Sequence, residues 1–377
     1  MLEAVRSTLL VAGLVFPGIA AYTALYVTLA AMVLMLAQVR REHLRSPVVY
    51  GIFAAVVAVL LSVLLNGASG EDWTALAMVL PFVLALPTAA ALAATPPRVF
   101  ATLCLIGSLC AVVIGLIEIF AFDASRAGGG NNPIHYASLA GMLGMVSLVG
   151  VTRRDDPWRF VFLLGPVAAF STAMLSGSRG PLLADCVMLG FALIVFWPDR
   201  RFFLALLAFP VAGILVVAFT GEGQRALILF TGVLSERTQS SDAQRLLMYS
   251  AALEMFASSP LWGHGFADFM TTARTLQPIQ DFDNLHSDLA NFASVAGLLG
   301  LVAYVGLVGG PLLALASPAA RRDRTLVLLV LLVSSGNATM GLTNAIIGVL
   351  PQTTLFILIL GYVLARERAL AQQAVTP

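Results

Sequence analysis

The chain has 377 residues, 59% of them hydrophobic and 11% charged, and a net charge of +1 at pH 7. A soluble domain is about 45–50% apolar and about 25% charged, and water would face much of this surplus of apolar surface, so a soluble fold is excluded. The near-neutral charge gives no electrostatic basis for a nucleic-acid partner. Cys104, Cys110 and Cys186 sit singly in apolar runs and read as small core residues, with no disulfide framework or metal cluster implied.

A helix needs about 20 apolar residues to cross the hydrocarbon core. In chain order the sequence predicts spans near 5–17, 19–38, 47–66, 72–93, 98–121, 132–151, 158–175, 180–198, 202–220, 286–316, 324–346 and 349–366. The run from Ser7 to Ala37 is too long for a signal peptide, and Phe16-Pro17-Gly18 is the expected hairpin within it. The 286–316 run exceeds one span and is expected to kink near Gly309-Gly310-Pro311. The expected fold is therefore all-α: one polytopic membrane domain over 1–377, with about twelve transmembrane helices and a large helical loop, 220–286, between spans 9 and 10.

Arginine orients the spans. All 21 basic residues are arginine. With the N-terminus cytoplasmic, the inside segments hold Arg6, the Arg40/Arg41/Arg45 group, Arg98, the Arg153/Arg154/Arg159 group, Arg200 and Arg201, the Arg321/Arg322/Arg324 group, and Arg366 and Arg368. The short outside connections hold only Arg126 and Arg179, which is the asymmetry expected of an inner (plasma) membrane protein with both termini in the cytoplasm. The 220–286 loop then lies outside.

Polar residues concentrate at that outer face. Ser176-Gly177-Ser178-Arg179-Gly180-Pro181 is a short turn with Pro181 where a helix begins. Helix N-termini attract anions and arginine pairs bidentately with phosphate, although an arginine snorkelling to headgroups has the same pattern. In the loop, Ser241 and Gln244 have capping-box spacing, and Leu246, Tyr249, Leu253 and Phe256 recur at helical spacing up to Ser258-Ser259-Pro260. Arg245 falls in the first turn of that helix, where a cation opposes the helix dipole unless an anion partners it. Pro260-Leu261-Trp262-Gly263-His264-Gly265 reads as a tight turn with an interfacial aromatic anchor.

His286-Ser287-Asp288 stands at the outer end of the next span, followed by Gly297 and Gly300, which permit close helix packing. Histidine accepts a proton near neutrality, and nearby arginines keep it neutral. Asp281-Phe282-Asp283 has a metal-and-nucleotide spacing that recurs by chance, and His135, after Asn131-Asn132-Pro133, reads as structural or cavity-lining. Arg179, Arg245 and His286 facing one outer cavity fit a reaction in which a phosphate-type group leaves and a hydroxyl attacks. Nucleotide-activated donors belong to the cytoplasm, so an outside site calls for a lipid pyrophosphate.

These residues carry a family resemblance. The many-span layout, Asn132-Pro133-Ile134 opening a span, the Gly-Ser-Arg-Gly turn at 177–180, the arginine-led loop helix ending in Pro260-x-x-Gly263-x-Gly265, and His286-Ser287 followed by Gly297-x-x-Gly300 resemble the bacterial O-antigen ligases and their polymerase/ligase superfamily. The resemblance implies an inverting glycosyltransferase of lipopolysaccharide biosynthesis that needs no metal or other cofactor. It would move O-antigen from undecaprenyl pyrophosphate to a sugar hydroxyl of lipid A–core, with membrane lipids as its other partners. It also implies His286 as general base and Arg179 and Arg245 as pyrophosphate ligands, with Ser178, Ser287 and His264 in support. Arg225 or Arg237 can exchange roles with Arg245. The competing readings are an O-antigen polymerase, which uses the same donor, and a lipid-linked glycan transporter, which would place its site near the bilayer midplane.

Overall fold

A computed structural model describes residues 2–39, 41–68, 70–153, 156–208 and 243–375, and among them there is no β-strand. Sixteen helices follow one another: α1 (Leu2–Leu14), α2 (Pro17–Leu34), α3 (Pro47–Leu65), α4 (Thr74–Val79), α5 (Ala85–Leu92), α6 (Pro97–Ala121), α7 (Pro133–Val146), α8 (Leu164–Ser176), α9 (Arg179–Phe196), α10 (200–208), α11 (243–258), α12 (Phe269–Leu276), α13 (Asp288–Val308), α14 (Pro318–Arg322), α15 (Arg324–Thr343) and α16 (Leu350–Val375). Short 3₁₀ turns prolong several of them and join α4 to α5.

The starts of the helices follow from local chemistry. Proline opens α2, α3, α6 and α7, where its missing N–H costs nothing. Ser46 caps α3 by accepting from Val48 N, and Asn132 caps α7 by accepting from Ile134 N. Asp323 caps α15 through Leu326 N at 2.7 Å. The expected break between the first two runs falls at Val15 and Phe16.

Among the described residues, nine helices are long and apolar enough to cross a membrane: 17–34, 47–65, 74–92, 97–121, 133–152, 159–176, 179–196, 288–308 and 324–343. They coincide with nine of the twelve expected spans. Of the other three, 5–17 corresponds to the 13-residue α1. The 202–220 span lies mostly outside the described residues. The last corresponds to α16, whose apolar stretch lies between polar Gln352-Thr353-Thr354 and charged Arg366-Glu367-Arg368.

Of these nine, the span beginning with α7 is the most enclosed, with 89% of its most apolar stretch buried. It packs on α8 and α9, α9 packs on α15, and α13 packs on α3. The α7–α8 contact is close because both faces carry glycine: a Cβ on Gly144 would stand 2.4 Å from the Gly165 carbonyl oxygen.

The α13 span is kinked, but not first where the sequence suggested. Its helix ends at Val308, with Gly309 as cap, and the sharper irregularity lies earlier, at Gly297 (φ 60°, ψ −138°). Only glycine adopts that backbone readily. The kink frees backbone groups, and the 259–265 turn satisfies them: Leu298 N donates to Pro260 O at 2.7 Å, and His264 N and Gly265 N donate to Ser294 O and Val295 O at 3.0 Å each. Gly297 therefore docks a loop where the sequence suggested close helix packing.

The α11 helix ends at Ser258 as expected, and Ser241 lies outside the described residues. Gln244 Oε1 accepts from Gln280 N at 3.1 Å. The buried stripe of α11 is Met248, Ala251, Ala252 and Met255, while Leu246 and Leu253 are each 71% exposed. Those two leucines lie seven residues apart on one helix face.

Candidate active site

The site is organised around the end of α15 and the segment that follows it. At Asn344 the backbone becomes extended (φ −159°, ψ 161°) and the chain turns through 345–349 into α16. Asp288, the first residue of α13 and fully buried, accepts from Ile346 N at 2.9 Å and Ile347 N at 3.1 Å. Ser287 caps α13 through Ala290 N and donates its hydroxyl proton to Gly341 O at 3.0 Å. These two side chains fasten the start of α13 to the end of α15, because Ser287 meets a carbonyl of the last turn of α15 and Asp288 meets amides of the connection that follows it.

His286 precedes them in a left-handed backbone conformation (φ 50°), uncommon for a residue with a Cβ. Its amide donates to Asn284 Oδ1 at 2.8 Å, and its ring meets Phe282 edge-on at 5.0 Å between centroids. The half-buried imidazole places Nδ1 3.3 Å from Asn344 Oδ1. An amide oxygen can only accept, so with the amide placed this way Nδ1 carries a proton, and in the neutral ring Nε2 is the nitrogen with the lone pair.

His135 comes to the same place. Its ring lies beside the backbone of Ala345 and near His286, and its carbonyl accepts from Gln352 Nε2 at 2.9 Å.

The arginine turn reaches this region from the other side. Gly177, left-handed at φ 61°, ends α8, and Ser178 is the buried residue before α9. Arg126 clamps the turn, donating from Nε to Ser176 O at 2.6 Å and from Nη2 to Ser178 Oγ at 3.1 Å. Glu118 orders the adjoining loop by accepting from Gly128 N and Gly129 N at 2.7 and 2.9 Å. Arg179 is exposed at the first position of α9, where unpaired helix N–H groups and the helix dipole favour an anion. Gly180 lies against Thr343: a Cβ there would stand 2.6 Å from Thr343 Oγ1, next in sequence to the Asn344 that holds His286.

The α11 helix meets the same end of α15 through Tyr249, whose hydroxyl donates to Leu342 O at 3.0 Å. Arg245 is half-buried one turn earlier, on the face that Tyr249 shares, and among the described residues it has no hydrogen-bond or ion-pair partner. Arg225 and Arg237 lie outside the described residues.

His264 is placed elsewhere. Its Nε2 is within 3.0 Å of Ser258 Oγ and of Met255 O, and its amide holds Ser294 of α13, so it locks the end of α11 to the kinked span. The two loop aspartates are engaged locally: Asp281 pairs with Arg274 at 2.6 Å, and Asp283 accepts from Asn284 Nδ2 at 2.6 Å.

A cavity of about 360 Å³ adjoins this cluster, lined by Asp283, Asn284 and Asn291 on one side and by Met78, Phe266 and Phe269 on another. Polar groups converge on an apolar chamber there, the usual character of a small-molecule or sugar site. Sequence reasoning had no reason to select Asn344 or Arg126, and it set His135 aside. The one signal was the polar run at the end of an otherwise apolar span, Asn337, Thr339, Thr343 and Asn344.

No curated protein matches the chain. Residues 164–305 match the family described as O-antigen ligase. That stretch begins at α8 and takes in the arginine turn, the loop, His286 and the kink at Gly297. Over this segment, which is less than half of its length, the chain is similar to the O-antigen ligase family.

Proposed function

We propose that this protein is an O-antigen ligase acting at the periplasmic face of the inner membrane, with the 220–286 segment on that side and both termini in the cytoplasm. The donor is O-antigen on undecaprenyl pyrophosphate, and the acceptor is a sugar hydroxyl of lipid A–core. The observation that carries the reading is the pairing of His286 Nδ1 with Asn344 Oδ1, beside the turn that presents Arg179.

The chemistry follows from that arrangement. The acceptor hydroxyl oxygen attacks the anomeric carbon from the face opposite the pyrophosphate, and its proton passes to His286 Nε2. The bond from the anomeric carbon to the pyrophosphate oxygen breaks, and its electron pair leaves with undecaprenyl pyrophosphate. The charge that develops on that oxygen is met by Arg179 and Arg245, and the anomeric centre inverts. No step draws on a metal ion. The acceptor sugar enters the 360 Å³ cavity, where Asn284 and Asn291 are placed to orient hydroxyls.

A transporter reading gains no support from the ion pairs. Arg98–Asp156, Arg159–Asp199 and Arg366–Asp323 each include a residue at a helix start or in a connection between helices, away from a midplane site. Reconstituting the purified chain with lipid-linked O-antigen, with and without lipid A–core, tests the proposal. Glycan appearing on lipid A–core supports a ligase. Lengthened lipid-linked glycan with none transferred to the core identifies a polymerase.

A further inference from the structure

At the opposite ends of the spans a second pocket of about 150 Å³ is built from the 3₁₀ turn Arg41–Arg45, α5 and α16. His43, Arg45, Ser46, Glu367 and Arg368 give it a polar mouth, and Leu86 and Leu364 give it apolar walls. Ser46 caps α3 and Leu86 belongs to the span 74–92, so the pocket sits where membrane-crossing helices end, at headgroup level. Its volume is several times the ~30 Å³ that a water occupies in the liquid.

The charges inside are ordered by sign. Arg368 Nη1 lies 2.5 Å from His43 Nε2, so the buried imidazole accepts and is neutral, and the guanidinium is held in place. Glu367, next along α16, accepts from the Ser46 hydroxyl at 2.5 Å. Elsewhere on the same arginine-rich side, arginines meet carboxylates: Arg98 with Asp156 and Arg366 with Asp323. Arg45 has no such partner among the described residues.

We propose that this pocket binds a phospholipid headgroup of the ethanolamine type, its phosphate on Arg45 and Arg368 and its primary ammonium on Glu367. A simple anion satisfies the guanidiniums but is repelled by the carboxylate. A phosphate diester with an ammonium two carbons away satisfies both, and the acyl chains begin against Leu86 and Leu364. Basic pockets between membrane helices recognise lipid headgroups by this chemistry. The ligand would brace α16, whose far end begins the segment next to Asn344, without taking part in the glycan transfer proposed above.

Native mass spectrometry of the full delipidated chain, titrated with phosphatidylethanolamine, phosphatidylglycerol, phosphatidylcholine or inorganic phosphate, tests the proposal. The expected order places phosphatidylethanolamine first, and both Arg45→Ala and Glu367→Gln weaken it by about tenfold, the effect of one charge-assisted bond. Glu367→Gln keeps the size and the Ser46 contact of the side chain, so a folding defect does not mask the result. Stronger binding of phosphatidylglycerol or free phosphate, unchanged by Glu367→Gln, would make the pocket a plain anion site and overturn the assignment. Equal binding of phosphatidylethanolamine by wild type and both variants would move the lipid to another surface and overturn it as well.

Discussion

His286 is useful as a base only if one nitrogen is free and oriented, and Asn344 provides both conditions by holding Nδ1. Replacing Asn344 with Ala leaves the imidazole present but unset in tautomer and direction. Turnover should fall by about one to two orders of magnitude, less than the about 10²–10⁴ expected for loss of the base itself. Initial-rate measurements should show the loss in kcat, with the KM for the lipid-linked donor little changed. His286 and Ser287 were legible in the sequence because they directly precede a span and have a recognisable spacing to Gly297. Asn344 was not, because its meaning comes from a partner 58 residues away. The contacts of His264 with Ser258 and Met255 were equally unreadable, because a glycine turn does not show which way its histidine ring will fold.

At the scale of the element, two devices hold the site open. One is the arginine turn between α8 and α9. Arg126→Ala removes two donors from the 176–178 backbone and Ser178, and the first turn of α9 loses its fixed position. Hydrogen bonds from a charged donor contribute about 1.5–3 kcal/mol, so the donor KM should rise about tenfold or more. Titrating the lipid-linked donor in the transfer assay reads that change. The other device is the kink in α13. Gly297→Ala combines a left-handed backbone with a Cβ 2.8 Å from Gly263 N, Leu261 C and Pro260 O. The variant should lose about 1–3 kcal/mol from strain alone, visible as a lower melting temperature in detergent.

The sequence announced the helix starts through proline and the capping residues Ser46, Asn132 and Asp323. It pointed to a kink at Gly309-Gly310-Pro311 and not at Gly297, since a Gly-x-x-Gly pair reads first as a packing seam. The actual packing partner is a loop that no periodicity could bring alongside.

At the scale of the molecule, His135, Gly180, Tyr249 and residues 286–288, from four separate segments, all lean on 341–347. Composition and arginine placement were enough to expect a helical membrane protein, because the bilayer imposes length and charge rules that one sequence displays. The meeting of these separate segments was not readable, because it depends on which helices touch. The proposed topology makes its own prediction. In a chain whose free cysteines, Cys104, Cys110 and Cys186, are replaced by serine, a cysteine at exposed Leu261 should react in spheroplasts with an impermeant maleimide. A cysteine at exposed Gln373 should react only after lysis. Reversed labelling would invert the topology and place the site in the cytoplasm.

The most direct test of the account compares wild type with His286→Ala, purified and supplied with lipid-linked O-antigen and lipid A–core in EDTA. Wild type should transfer glycan, while the variant should bind donor with unchanged affinity and transfer at least about 100-fold more slowly. Transfer by His286→Ala at the wild-type rate would contradict the assignment of the base, and with it the mechanism built on the His286–Asn344 pair.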